Sequence, residues 1–497
     1  MPLARMFETA EIGNQVSKRV FEREAPKVRT ALLAAQKRLA TSSTAVIILI
    51  GGVEGAGKAE TVNLLLEWLD ARGIQVHAMW DPSDEERERP PMWRFWRVLP
   101  PSGRIGIFFG SWYTVPIIDR VFRRANDAEL DQALDRIIDF ERMLAAEGTL
   151  LLKFWFHLAK DVQRRRLKEL QADPRKRWRV TKTDWKFFKK YDRFREICER
   201  ALRRTSTGEA PWTIVEATDA RYRSLTVTQS ILRSLEERLD RARSTRPPKP
   251  VPDLPKPKPV NILSQLDLSK RIADREYRRA LVEYMGRINL LSRRLYERRR
   301  SLLLVFEGPD AAGKGGAIRR LISAVDARNY QVHSVAAPSD EERARPYLWR
   351  FWRHLPRLGR ITIFDRSWYG RVLVERIEGL CPADDWKRAY AEINAFEAEL
   401  AEFGIIIVKF WLMISAGEQL RRFKTRELTP YTQYKLTEED WRNRSKWDAY
   451  VAAACEMIER TSTNPAPWML VQANDKNHAR IKVMKTVHRA LKQALRT

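Results

Sequence analysis

Short apolar runs alternate with amphipathic stretches along most of the chain. In the second half, "SLLLVFEG" (301–308) predicts a strand and "GGAIRRLISAV" (315–325) a helix. "QVHSVAA" (331–337) predicts another strand, followed by a Trp-rich helical segment and the strand "RITIFD" (360–365). Helix "WKRAYAEINAFEAELAEFG" (386–404) precedes strand "IIIVKFWLMI" (405–414), and "WMLVQAN" (468–474) is the last strand before a C-terminal helix. Uninterrupted apolar strands that alternate with helices imply a buried parallel sheet with right-handed crossovers. Each such domain is expected to have three layers, α/β/α.

The pattern is written twice. Gly52 and Gly308 lie 256 positions apart, as do Lys58 and Lys314, Trp112 and Trp368, Lys153 and Lys409, and Trp212 and Trp468. "PSDEERERP" (82–90) answers "PSDEERARP" (338–346), and "RTSTGEAPW" (204–212) answers "RTSTNPAPW" (460–468). A register kept over so many positions marks a tandem duplication. The expected division is 1–245, then the segment "RPPKPVPDLPKPKP" (246–259), then 260–497. Proline lacks a backbone donor and favours extended polyproline geometry, so 246–259 is expected to be a semi-rigid spacer of about 3.1 Å per residue.

Composition narrows the class. The 92 Lys and Arg against 64 Asp and Glu give a net charge of +28, which favours a polyanionic partner. Nucleic acid and a polyanionic substrate both need that field, so charge alone does not choose. The longest apolar runs, such as "GIIIVKFWLMI" (404–414), are shorter than the ~20 residues that span a bilayer, and no membrane partner is expected. Three widely spaced cysteines, Cys198, Cys381 and Cys455, fit a reducing compartment, and a cytoplasmic location is expected.

Candidate chemistry sits in the second copy. "GPDAAGKG" (308–315) fits G-x-x-x-x-G-K between a strand and a helix, which is where backbone N–H groups and a helix dipole can hold phosphate. Gly308 and Gly313 permit close backbone approach, and Lys314 supplies a point charge. Two departures stand out. Gly315 occupies the position where nucleotide-binding loops place Ser or Thr for magnesium, and Asp310 lies inside the loop. A carboxylate 4 Å from a phosphate costs about 4 kcal/mol at an effective dielectric of 20. Asp310 is therefore expected to share a cation with the phosphate or to orient the attacking group; a solvated turn aspartate is the alternative.

Asp365 ends the third strand at the carboxyl edge of the sheet, the expected second magnesium anchor. Arg366 and Arg371, in "FDRSWYGRVLVER" (364–376), are near enough in sequence to clamp phosphates, or else form structural salt bridges. Arg422 and Arg426 stand at i and i+4 on one helical face, suited to a lid over a polyanion or to a solvated basic face. The string "PSDEERARPYLWRFWRHLP" (338–356) mixes arginines, Arg350 among them, with aromatics; nucleotide stacking and plain helix packing both explain it.

Together, "GPDAAGKGG", "EERARPYLWRFW", "FDRSWYGRVLVER" and "KFWLMISAGEQLRRFKTRE" closely resemble the family-2 polyphosphate kinases. The two fused copies resemble the tandem class that moves phosphate from inorganic polyphosphate to AMP. The resemblance implies an α/β fold: two tandem three-layer α/β/α P-loop kinase domains with parallel sheets and helical lids. It implies magnesium (Mg2+) dependence, with Asp310 and Asp365 binding metal and activating the acceptor phosphate. It places Lys314, Arg366, Arg371, Glu375, Arg422 and Arg426 at positions that handle phosphate.

The first copy keeps Lys58, and Glu54 stands opposite Asp310. But Phe109 faces Asp365, Gly110 faces Arg366, Val115 faces Arg371, Leu170 faces Arg426, and Ala59 and Glu60 face Gly315 and Gly316. Without its magnesium carboxylate the first domain is expected to be catalytically inert. It is expected to act as a structural partner that mimics a second subunit, with homodimerisation left open. Two other readings share some of these features. An ATP-dependent nucleoside monophosphate kinase would share the fold, but Asp310, the missing Ser or Thr and the charge argue against it. A basic nucleic-acid-binding protein with vestigial loops would explain the charge but not "FDRSWYGR" in one copy only, so nucleic acid is not the expected partner.

Overall fold

The computed structural model describes residues 6–241 and 261–496, apart from the side chains at 432 and 435. The proline-rich segment 246–259 lies outside the described residues. The described residues divide into two compact units, one made of 6–82, 94–241 and 338–349, the other of 83–93, 261–337 and 350–496. Each unit therefore takes in a short segment from the other half of the sequence.

The N-terminal unit has five strands: β1 (Val46–Gly52), β2 (Ile74–Ala78), β3 (Ile105–Phe109), β4 (Leu150–His157) and β5 (Trp212–Glu216). The C-terminal unit repeats them as β6 (Ser301–Glu307), β7 (Tyr330–Ser334), β8 (Ile361–Asp365), β9 (Ile405–Met413) and β10 (Trp468–Gln472). The sheets run β2-β3-β1-β4-β5 and β10-β9-β6-β8-β7, with every pairing parallel. The predicted parallel α/β/α architecture is present in both copies. Among the described residues no helix is long and apolar enough to cross a membrane.

The period-2 alternation of a strand explains both faces of the second sheet. Leu302, Leu304 and Phe306 of β6, with Val408, Phe410 and Leu412 of β9, form one core with Ile318, Val483 and Leu491 of the flanking helices. The odd-numbered positions of β9 face the other way and include a surprise, a lysine. Lys409 is fully buried, and its ammonium donates to Glu397 at 2.7 Å, to the Tyr369 hydroxyl at 2.7 Å and to the Thr461 carbonyl at 2.7 Å. The Trp368 indole, in the short turn 368–371 after the third strand, also donates to Glu397 at 3.0 Å. Lys153, Glu141, Tyr113, Thr205 and Trp112 build the same network in the first unit. Burial pushes the Glu397 carboxyl up and the Lys409 ammonium down, and their mutual attraction offsets part of that penalty. The recurring "KFW" is thus a pin that locks helix 383–402 onto the sheet.

In each unit the first strand is central, and the chain leaves its carboxyl end into the glycine-rich loop. In parallel sheets this edge is where ligands are bound.

Candidate active site

Gly308 leaves β6 at φ 142°, and a Cβ there would lie 2.4 Å from the Leu412 carbonyl of β9. Only glycine lets the loop turn this close to the neighbouring strand. Gly313 takes a left-handed conformation (φ 104°) and releases helix 314–322, so Lys314 opens that helix. The Lys314 ammonium reaches back across the loop to the carbonyls of Gly308 (2.7 Å) and Pro309 (3.3 Å).

Asp310 is held from three directions. Arg366 donates to its Oδ1 at 2.6 Å, Asn443 donates to its Oδ2 at 2.9 Å, and Gln419 donates to its backbone oxygen at 3.1 Å. Burial works against the charged carboxylate, but Lys314 and Arg366, aided by those hydrogen bonds, outweigh it and hold the carboxyl below its ordinary value. Burial and the like charge of Arg366 pull the Lys314 ammonium down, against the opposing pull of Asp310 and Asp365. Burial opposes the Arg366 charge too, yet Asp310 and Glu307 raise it overall. The result is a desolvated cluster of alternating signs at the mouth of the loop.

Two backbone outliers support this cluster. Ala311 (φ 62°) and Arg366 (φ 63°) are left-handed, a conformation that costs a non-glycine residue about 1–2 kcal/mol. The first copy places glycine at both points, Gly55 (φ 77°) and Gly110 (φ 82°). The turn is shared; only the second copy puts side chains on it, and strain of this kind gathers at functional sites.

Asp365 ends β8 and lines a cavity of about 470 Å³ together with Lys314, Gly315, Arg366 and Arg426. Its Oδ2 lies 3.9 Å from where a Cβ on Gly315 would stand, which places the carboxylate beside the first turn of the helix. Hard carboxylate oxygens beside a phosphate loop suit magnesium. Among the described residues no group of three or more His, Cys, Asp or Glu side chains forms a metal cage. A phosphotransferase does not need one, because Mg²⁺ is commonly bound by one or two carboxylates plus substrate phosphates.

Other expected residues fall elsewhere. Arg422 does not face the cavity. Its side chain is buried and donates to the carbonyls of Ala311 (2.8 Å), Ala473 (2.7 Å) and Asn474 (2.9 Å), and it pairs with Glu418. The arginine expected in a lid is instead a strut beneath the loop, because burial of a guanidinium demands that its donors be used. Arg371 pairs with Glu375 (3.0 Å) and Asp385 (3.3 Å). Arg350 donates to the Ala336 carbonyl at 2.8 Å.

Three contributors escaped the sequence reading. Glu307 ends β6 fully buried, accepts from Ser367 at 2.8 Å and is pushed up by burial while Lys314 and Arg366 pull against it. Asn443 and Gln419 hold Asp310. The duplication carries a signal for two of them, since Gly51 faces Glu307 and Phe187 faces Asn443, the same contrast that marks Asp365.

The first unit's loop is simpler. Lys58 donates to the Gly52 carbonyl (2.9 Å) and to Glu54 (3.2 Å), and Glu60 pairs with Arg179 at 3.0 Å. Phe109 and Gly110 occupy the places of the strand-end carboxylate and arginine.

A phosphate loop beside paired carboxylates, at the carboxyl edge of a parallel sheet, defines a P-loop phosphotransferase. The chain belongs to the Polyphosphate kinase 2 (PPK2) family, which matches residues 15–243 and 271–497. It is 53% identical to a polyphosphate:AMP phosphotransferase of Pseudomonas aeruginosa over 491 residues, covering 98% of this chain and 99% of that protein. It is 37% identical to a polyphosphate:AMP phosphotransferase of Acinetobacter johnsonii, covering 91% and 92% of the two chains. The crystal structure of a polyphosphate kinase 2 family protein from Pseudomonas aeruginosa superposes with a TM-score of 0.89 at 51% identity, covering 99% of this chain and 100% of that one.

Proposed function

We propose that this protein transfers the terminal phosphate of inorganic polyphosphate to AMP, giving ADP, at the loop of its C-terminal half. The observation that carries the reading is Asp310: an ionised carboxylate built into a phosphate loop and held there by Arg366 and Asn443. An ATP-type loop has no use for that charge, whereas a site that must align two phosphate groups does.

The loop N–H groups and the N-terminus of helix 314–322 hold the donor's terminal phosphate, and Lys314 balances its charge. Arg366 and Arg426 spread the charge that develops as the phosphoryl group passes between oxygens. The acceptor phosphate lies opposite, beside Asp310, and its nucleoside end rests in the small apolar hollow lined by Leu373, Val374, Trp447 and Tyr450. Asp310 and Asp365 would hold Mg²⁺, which when bound neutralises charge between donor and acceptor phosphates. Little covalent chemistry falls to the protein; its contribution is alignment and charge.

The reading also takes the first half as inert. Lys314→Ala and Asp365→Ala in the full chain are each expected to abolish ADP formation from AMP and polyphosphate, whereas Lys58→Ala leaves it intact. Turnover that survives Asp365→Ala, or requires added ATP, refutes the assignment. Loss of turnover in Lys58→Ala refutes the inert first half.

A further inference from the structure

The last residue of β6 is a buried carboxyl that the transfer of phosphate does not use directly. Glu307 is 4% exposed and stands just before the phosphate loop. Burial of a carboxyl is costly unless partners offset the lost hydration, so its partners indicate its task. Its Oε1 accepts from the Ser367 hydroxyl at 2.8 Å, and that hydroxyl accepts from the Tyr369 N–H at 3.3 Å. Ser367 is itself 1% exposed and caps the short helical turn Trp368–Arg371.

Between β8 and that capped turn stands Arg366, at φ 63°. Its own N–H donates to the Phe306 carbonyl at 3.0 Å. The left-handed residue is thus fastened to the end of β6 twice, by its amide to Phe306 and by the next side chain to Glu307. An arginine has no intrinsic preference for that conformation, so the turn persists only while its neighbours over-determine it. The same turn aims the guanidinium at Asp310 Oδ1, 2.6 Å away. Burial opposes the guanidinium charge, and Asp310 and then Glu307 restore it.

The duplication supplies a control. In the first copy Ser111 stands where Ser367 does and makes the same contact, accepting from the Tyr113 N–H at 3.4 Å. That contact therefore forms without a glutamate. Gly51 and Gly110 occupy the places of Glu307 and Arg366, and Gly110 takes the left-handed turn (φ 82°) with no Cβ to strain it. In these two copies the carboxyl is present where a side chain is carried through the turn and absent where glycine makes it.

We propose that Glu307 is the positioning residue for Arg366: through Ser367 it holds the left-handed turn that keeps the guanidinium on Asp310 and the reacting phosphates. It acts through that arginine and not on substrate. The inference rests on the reading that phosphoryl transfer takes place at this loop.

The test is a double-mutant cycle in the full chain, read as kcat and KM for ADP formation from AMP and polyphosphate. Arg366→Ala is expected to lower kcat roughly 10²- to 10³-fold, the loss of one donor to developing charge. Glu307→Ala is expected to lower kcat about tenfold, with KM for both substrates within about twofold of the parent. Added to Arg366→Ala, it is expected to cost nothing more, because the residue it positions is gone. Glu307→Gln keeps an oxygen for Ser367 and is expected to restore kcat to within about threefold of the parent. Ser367→Ala is expected to copy Glu307→Ala, and it carries the same cycle if Glu307→Ala does not fold. Additive losses in the double variant, an unchanged kcat in Glu307→Ala and Ser367→Ala, or no recovery in Glu307→Gln each overturn the inference and leave the transfer reading intact. A parent that makes no ADP from AMP and polyphosphate overturns both.

Discussion

Arg422 and Arg426 are one helical turn apart, and the fold gives them different work. The informative perturbation is to truncate each to Met. Removing Arg422 strips donors from the carbonyls of Ala311, Ala473 and Asn474 and takes one cation from the half-buried Glu418, which keeps Arg421 at 2.7 Å. Breaking a buried charged network costs about 3–5 kcal/mol, and the retained Arg421 argues for the lower end, about 3 kcal/mol. In a unit of this size each kcal/mol moves Tm by roughly 2–4 °C, so Arg422→Met is expected to melt about 6–12 °C early. Arg426 lines the cavity beside Lys314 and Asp365. Its truncation removes a charge-assisted contact to phosphate worth about 1.5–3 kcal/mol, a fall of roughly 10- to 100-fold in kcat/KM. Its Tm is expected to stay within about 2 °C of the parent. Differential scanning calorimetry and initial rates of ADP formation separate the two. If Arg422→Met melts with the parent and loses activity as Arg426→Met does, the strut reading is wrong and Arg422 serves the substrate directly.

Lys409→Met leaves Glu397 buried without its ammonium and is expected to lower stability by about 3–5 kcal/mol in urea titrations, with part restored by adding Glu397→Gln; an unchanged midpoint would count against the pin. Ala311→Gly relieves a left-handed alanine and is expected to raise stability by about 1 kcal/mol, read as a higher Tm; a lower Tm would show the strain is not there. His333 and His354 lie with ring centroids 4.0 Å apart and planes tilted by 33°, and burial, with the neighbouring His333, pushes His354 down to about 4. Each histidine binds its proton more weakly folded than unfolded, so stability is full above about pH 6.5 and falls as pH drops toward 4. Partial exposure of the ring limits the effect to about 1–2 kcal/mol. His354→Asn is expected to flatten that slope, and an unaltered pH dependence would remove the histidine pair as its source.

The sequence by itself determined the repeat, the order of strands along the chain, and in which copy the charged motif residues are kept. Strand and helix periods are local, and a fixed 256-residue offset exposes every position where charge was kept or lost. That is why Asp310, Lys314 and Asp365 were legible: loop spacing and strand ends place them without knowledge of distant contacts. What only the tertiary structure decided is which charged groups line the cavity and which are consumed by the protein. Arg422 and Arg426 look alike on a helical wheel, yet one faces three carbonyl oxygens from distant segments. Lys409 reads as a flaw in an apolar strand until Glu397, Tyr369 and Thr461 arrive around it. Glu307 and Asn443 belong to the same class. Desolvation makes the fate of a polar group depend on whichever partner the fold delivers, and those partners lie tens to hundreds of residues away, beyond any local pattern.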